Sequence, residues 1–105
     1  MDQKKKYRVV VSDRAKRMLE THIRFLARVN KEAAAAKKKE LFAAMRSLSQ
    51  MPQRFPLLEG PDIPPSRYHK MFVGKWFLIL YYIGDDVVHI EYIHDGREEP
   101  LSFLS

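Results

Sequence analysis

Cysteine is absent from these 105 residues. A small chain without a disulfide must hold itself together with its apolar core, and the usage points to a reducing compartment. Glycine is scarce, at four residues. None of it forms the glycine-rich loop that cradles a phosphate, and the one Gly-Lys pair, Gly74-Lys75, falls between two apolar runs. No serine stands in a nucleophile motif. Long hydrophobic runs are missing as well: the longest, WFLILYYI over 76–83, is far too short to span a bilayer, and no secretory apolar segment is seen. The four histidines lack the spacing of metal ligands, so neither a metal nor another cofactor is expected. These absences describe a reduced, soluble, cytoplasmic protein with no membrane residence, and the length suits one domain over residues 1–105.

Basic charge, by contrast, is plentiful. Nineteen Lys and Arg against thirteen Asp and Glu leave +6 and an isoelectric point near 9.7, which favours an anionic partner, either nucleic acid or an acidic protein. The run Lys37–Glu40 is also what a solvated helix face looks like.

The element order follows from periodicity. KKKYRVVVS, Lys4 to Ser12, has the β-branched content of a strand, and Ser12 before Asp13 signals a helix N-cap. Ala15, Met18, Leu19, His22, Leu26 and Val29 then share one helical stripe. Asn30 caps a second helix, whose stripe is Ala34, Leu41, Met45 and Leu48. Two helices joined by so short a link must fold back as a hairpin. Pro52 ends the second helix, and the proline-rich stretch that follows is expected to strap across the core through Phe55, Leu57, Leu58 and Ile63. Three apolar runs, YHKMFV, WFLILYYI and VVHIEYIH, complete the chain as a meander, with Gly74-Lys75 as a two-residue turn and Gly84-Asp85-Asp86 as the next connection.

Those turns predict a register. With Val73 opposite Trp76 and Ile83 opposite Val87, His69, Met71, Val73, Trp76, Leu78, Leu80, Tyr82, Val88, Ile90, Tyr92 and His94 share the face that receives the helices. Tyr68, Lys70, Phe72, Phe77, Ile79, Tyr81, His89, Glu91 and Ile93 share the other, working face, with Tyr68 and Tyr81 as a cross-strand pair. A one-residue slip would exchange a strand's two sets.

The order of YRVVVS, the helix pair, the proline-rich loop and YHKMFVGKWFLILYYIGDDVVHIEYIHDGRE resembles the RelE/ParE superfamily of toxins from type II toxin-antitoxin systems, a class associated with plasmid stabilization. Tyr68, Lys70, Val73, Gly74, Lys75, Trp76, Ile79 and Tyr81, with a last strand ending in Asp95-Gly96-Arg97, carry the likeness, which runs from about Tyr7 to Leu104. It implies a compact α+β fold of order β-α-α-β-β-β, an antiparallel meander with the two-helix hairpin on one face. It also implies a cognate antitoxin whose acidic segment wraps the basic toxin. Two targets stay open. One is the ribosome and its messenger, cut by a metal-independent mRNA interferase; the other is DNA gyrase, poisoned by binding without catalysis.

For the nuclease, the resemblance assigns Lys70 and Arg97 to the phosphate, with Arg67, Tyr68, Lys75 and Phe103 on the RNA. Phe103 stands about where such nucleases carry a tyrosine; it can stack on a base but cannot transfer a proton. That leaves His94 or His89 to supply the acid. Each residue has an ordinary structural alternative as well: His94 as a strand-end residue bonded to a carbonyl, Arg97 paired with Asp95, Glu98 or Glu99, and Lys70 as a solvated strand lysine.

Overall fold

The computed structural model describes residues 5–61 and 67–96. Strand β1 (Arg8–Val11) leads into helix α1 (Asp13–Val29) and helix α2 (Lys31–Ser47); a short 3-10 turn (Pro52–Arg54) precedes β2 (His69–Val73), β3 (Phe77–Gly84) and β4 (Val87–Asp95). The order is the expected β-α-α-β-β-β. The four strands form a mixed sheet in the order β1-β4-β3-β2, with β1 parallel to β4 and the other pairs antiparallel.

Both predicted caps form. Ser12 Oγ accepts from the Ala15 N–H at 3.0 Å. Asn30 ends α1 by donating its N–H to the Leu26 carbonyl and starts α2 by accepting from the Ala33 N–H through Oδ1. One residue thus satisfies backbone groups of two helices, which is what brings the hairpin so sharply round. Ala15, Leu19 and His22 of α1 and Leu41, Met45 and Leu48 after them are buried against one face of the sheet. Val29 is not on that stripe in practice: it is 82% exposed at the hairpin tip.

The register departs from the prediction at both turns. Phe77, rather than Trp76, lies opposite Val73, so the first turn has three residues, and Gly74 supplies its positive φ of 64°. Gly84 pairs with Val87, which leaves a two-residue turn of Asp85 and Asp86, both at positive φ, as a type I′ hairpin requires. The shift turns β3 over. Phe77, Ile79 and Tyr81 face the helices, while Leu78 and Leu80 point to the opposite side and Trp76 stays largely in solvent. The inversion has a physical cause in the strand itself. β3 is covered on both faces, so its sequence is apolar throughout and carries no parity signal.

A bulge then changes the phase of β4. Tyr81 pairs with Ile90 and Leu80 with Tyr92, so Glu91 is the extra residue. Val88 and Ile90 before it, and Ile93 after it, all pack under the helices. Tyr92 joins Leu78 and Leu80 on the far side, and His94, opposite Leu78, shares that side.

The strap forms as expected where it is described. The Lys70 N–H donates to the Pro56 carbonyl and the Leu58 N–H to the Tyr68 carbonyl, and the Leu58 side chain covers Leu78 and Leu80. Burying two leucines this way contributes about 1.5 to 3 kcal/mol each. Ile63 lies outside the described residues.

Candidate functional site

The sheet face turned away from the helices is the one that presents chemistry. Across it run two rows defined by pairing: Lys70, Leu80 and Tyr92, and beside them Phe72, Leu78 and His94. Leu58 roofs the middle. Around that roof the surface is aromatic and cationic. The Tyr68 ring meets those of Tyr82 and Tyr92 edge-on at 6.2 and 6.1 Å, and Tyr82 is stacked on His89 at 4.6 Å with 12° between planes. Arg67 lies over Tyr68 at 5.4 Å and over Tyr82 at 5.0 Å, while Arg14, reaching from the first turn of α1, lies over Tyr92 at 4.8 Å. The Arg67 guanidinium is held above its usual pKa, chiefly by hydrogen bonding to the Tyr68 side chain, with smaller favourable fields from Tyr82 and Glu91.

The residues singled out from sequence are distributed over this face. Lys70 is half-buried beside the strap and His94 is buried, only 3% exposed, one row away. Arg67 and Tyr68 are in the aromatic cluster. Lys75 is at the tip of the first hairpin, its ammonium over the Trp76 ring at 5.8 Å, apart from the cluster. Arg97 and Phe103 lie outside the described residues. His89, the other histidine considered for the acid, is half-buried and stacks on Tyr82. Tyr81 does not pair with Tyr68: it pairs with His69, whose ring stacks on it at 5.2 Å. Sequence reasoning missed Arg14, Tyr82 and Tyr92. The last two were assigned to the helix face, and nothing in the pattern of α1 marks Arg14 as reaching the sheet.

A second surface lies across the helices. Val11, Leu19, Ile23, Phe42 and Met45 line a groove of about 520 Å³ between α1, α2 and the end of β1, with Lys16, Arg24 and Lys38 against the single acid Glu20 at its walls. The Lys37–Glu40 run is only partly the solvated face expected. Lys37 Nζ pairs with Glu40 at 2.7 Å and lies over the Phe77 ring at 5.6 Å, whereas Lys38 and Lys39 are exposed. Among the described residues no three His, Asp or Glu side chains are grouped as a metal ion would require, and no helix is long and apolar enough to cross a membrane.

The family model described as "ParE toxin of type II toxin-antitoxin system, parDE" matches residues 9–100. The chain belongs to the ParE toxin family. ParE membership, within the RelE/ParE superfamily expected from the residues, makes it the toxin of a ParDE-type toxin-antitoxin system and implies a cognate antitoxin as its partner. The ParE fold is also seen in a solved structure, "Chromosomal ParDE TA system from P. aeruginosa", with a TM-score of 0.69 over 85% of this chain and 95% of that one, at 12% identity. No curated protein matches this ParE-family sequence.

Proposed function

We propose that this toxin acts in the cytoplasm by binding and poisoning DNA gyrase, and that its antitoxin silences it with an acidic amphipathic segment. The observation that carries the choice of target is the burial of His94. Metal-independent RNA cleavage needs a proton donor within hydrogen-bond reach of the leaving oxygen, together with cations on the phosphate. His94 is enclosed, His89 is stacked on Tyr82, and Lys70 is half-buried beside the strap. A binding toxin needs none of these groups presented. Membership of the ParE family supports the same choice.

The groove between α1 and α2 suits the antitoxin. Its floor is apolar at helical spacing, and three cations against one acid at its walls favour an acidic amphipathic helix, with association that weakens as salt rises. The test of target uses purified toxin in two parallel reactions. With gyrase, ATP and supercoiled plasmid, linear DNA is expected to accumulate; with ribosomes and labelled messenger, the RNA is expected to stay whole. Ribosome-dependent cuts in the messenger together with intact plasmid would overturn the reading in favour of the nuclease.

A further inference from the structure

The gyrase reading gives the aromatic cluster on the open sheet face no task, yet its composition is specific. Four rings, Tyr92, Tyr68, Tyr82 and His89, follow one another in contact, and a guanidinium lies over the rings at either side, Arg14 on Tyr92 and Arg67 on Tyr68 and Tyr82. Both arginines are exposed, and the four rings are half-buried, held by β3, β4 and the residue just before β2, with part of each still in solvent. We infer that this surface binds single-stranded DNA, its unpaired bases stacking on the rings and guanidinium planes while Arg14 and Arg67 meet the flanking phosphates.

The chemistry follows from what each class of ligand presents. A duplex offers phosphates and groove edges but keeps its base faces stacked inside, so rings would add nothing to its binding. An unpaired strand exposes both, and base-on-aromatic stacking tolerates any sequence. An arginine over a tyrosine is itself a flat cationic plane, so it extends the stack and does not close it. Charge agrees: the chain carries +6, and Glu91, felt electrostatically by Arg67, is half-buried. The choice of DNA over RNA rests on the gyrase reading, since the proposed target works on DNA.

The experiment is fluorescence anisotropy of the purified toxin with a labelled oligodeoxythymidylate, beside an RNA and a duplex of equal length and a poly-glutamate peptide. The single-stranded DNA is expected to bind tightest. Tyr92→Leu and Tyr82→Leu should each weaken it roughly 5- to 150-fold, as loss of one stacked base does, while Tyr92→Phe, which keeps the ring, should bind as the parent does. Arg67→Gln should lower the slope of log affinity against log salt by about 0.7, one phosphate contact on a single strand, and Arg67→Lys should keep that slope. Melting curves identify any leucine variant that fails to fold, and the exposed Arg67 pair remains decisive in that event. Equal or tighter binding of the duplex, the RNA or poly-glutamate overturns the inference, as does an unchanged affinity in Arg67→Gln. Because gyrase is left out, the two readings fail separately: a toxin that breaks plasmid with gyrase but ignores the oligonucleotide overturns only this inference, and the reverse result overturns only the gyrase reading.

Discussion

The Tyr81 hydroxyl donates to the Pro52 carbonyl at 2.6 Å, joining the centre of β3 to the start of the strap. The ring is fully buried, and that burial pushes its pKa up to about 12, opposed in part by the Arg54 charge. The protonated form is therefore favoured by folding. This contribution is whole below the unfolded value near 10 and is lost as pH rises from about 10 to about 12. Tyr81→Phe should cost about 1 kcal/mol at neutral pH and should flatten the alkaline fall in stability, as read from urea midpoints across that window.

Asn30 serves two helix ends at once, but only the start of α2 depends on its side chain. Its side chain accepts only from Ala33, and Asn30→Ala removes that bond while leaving the backbone bond to Leu26. The expected cost is about 1 kcal/mol, or roughly 4 to 8 °C in melting temperature for a domain near this size. Far-ultraviolet circular dichroism during heating measures it.

Gly74 sits at φ 64° with Lys37 Nζ 3.0 Å from where a Cβ would stand. Gly74→Ala meets both a backbone penalty and a displaced ammonium. A loss of roughly 1 to 2 kcal/mol is expected, measured by chemical denaturation.

Phe42, in the wall of the helix groove, is 38% exposed and so not needed whole for the core. Phe42→Asp places a carboxylate where an acidic helix is proposed to dock. It should weaken antitoxin binding at least tenfold, by about 1.4 kcal/mol or more, with the melting temperature nearly unchanged and growth inhibition retained when both proteins are expressed. Calorimetric titration with the antitoxin checks it.

Much of the architecture was legible because single residues announced it. Ser12 and Asn30 marked helix starts, and the alternation in YHKMFV put Met71 and Val73 under the helices where they lie; Pro52, expected to end α2, instead opens the 3-10 turn, since α2 already stops at Ser47. β3 was illegible for the opposite reason. When helices cover one face and Leu58 the other, Leu78 and Phe77 are equally suited to burial, and only turn length decides between them. The bulge at Glu91 was hidden too, since one unpaired residue leaves no mark on composition. The site suffered from both. Tyr82 and Tyr92 were turned to the wrong side, and nothing in the sequence marked His94, put forward there as the acid, as a buried residue.

The edge strand β1 is synthesised first, and its partner β4 is the last strand described. Ser12, which caps α1, also contacts the Glu91 carbonyl through its hydroxyl, 79 positions further along. A ribosome must therefore release everything from β1 through β4 before β1 finds its neighbour or α1 its floor. Until then the nascent chain carries two exposed helical stripes and no closed sheet, and closure over so long a loop is slow. A nonsense codon before β4 should yield a fragment without the fold, so early truncation is expected to disarm this toxin completely, whichever surface meets the target.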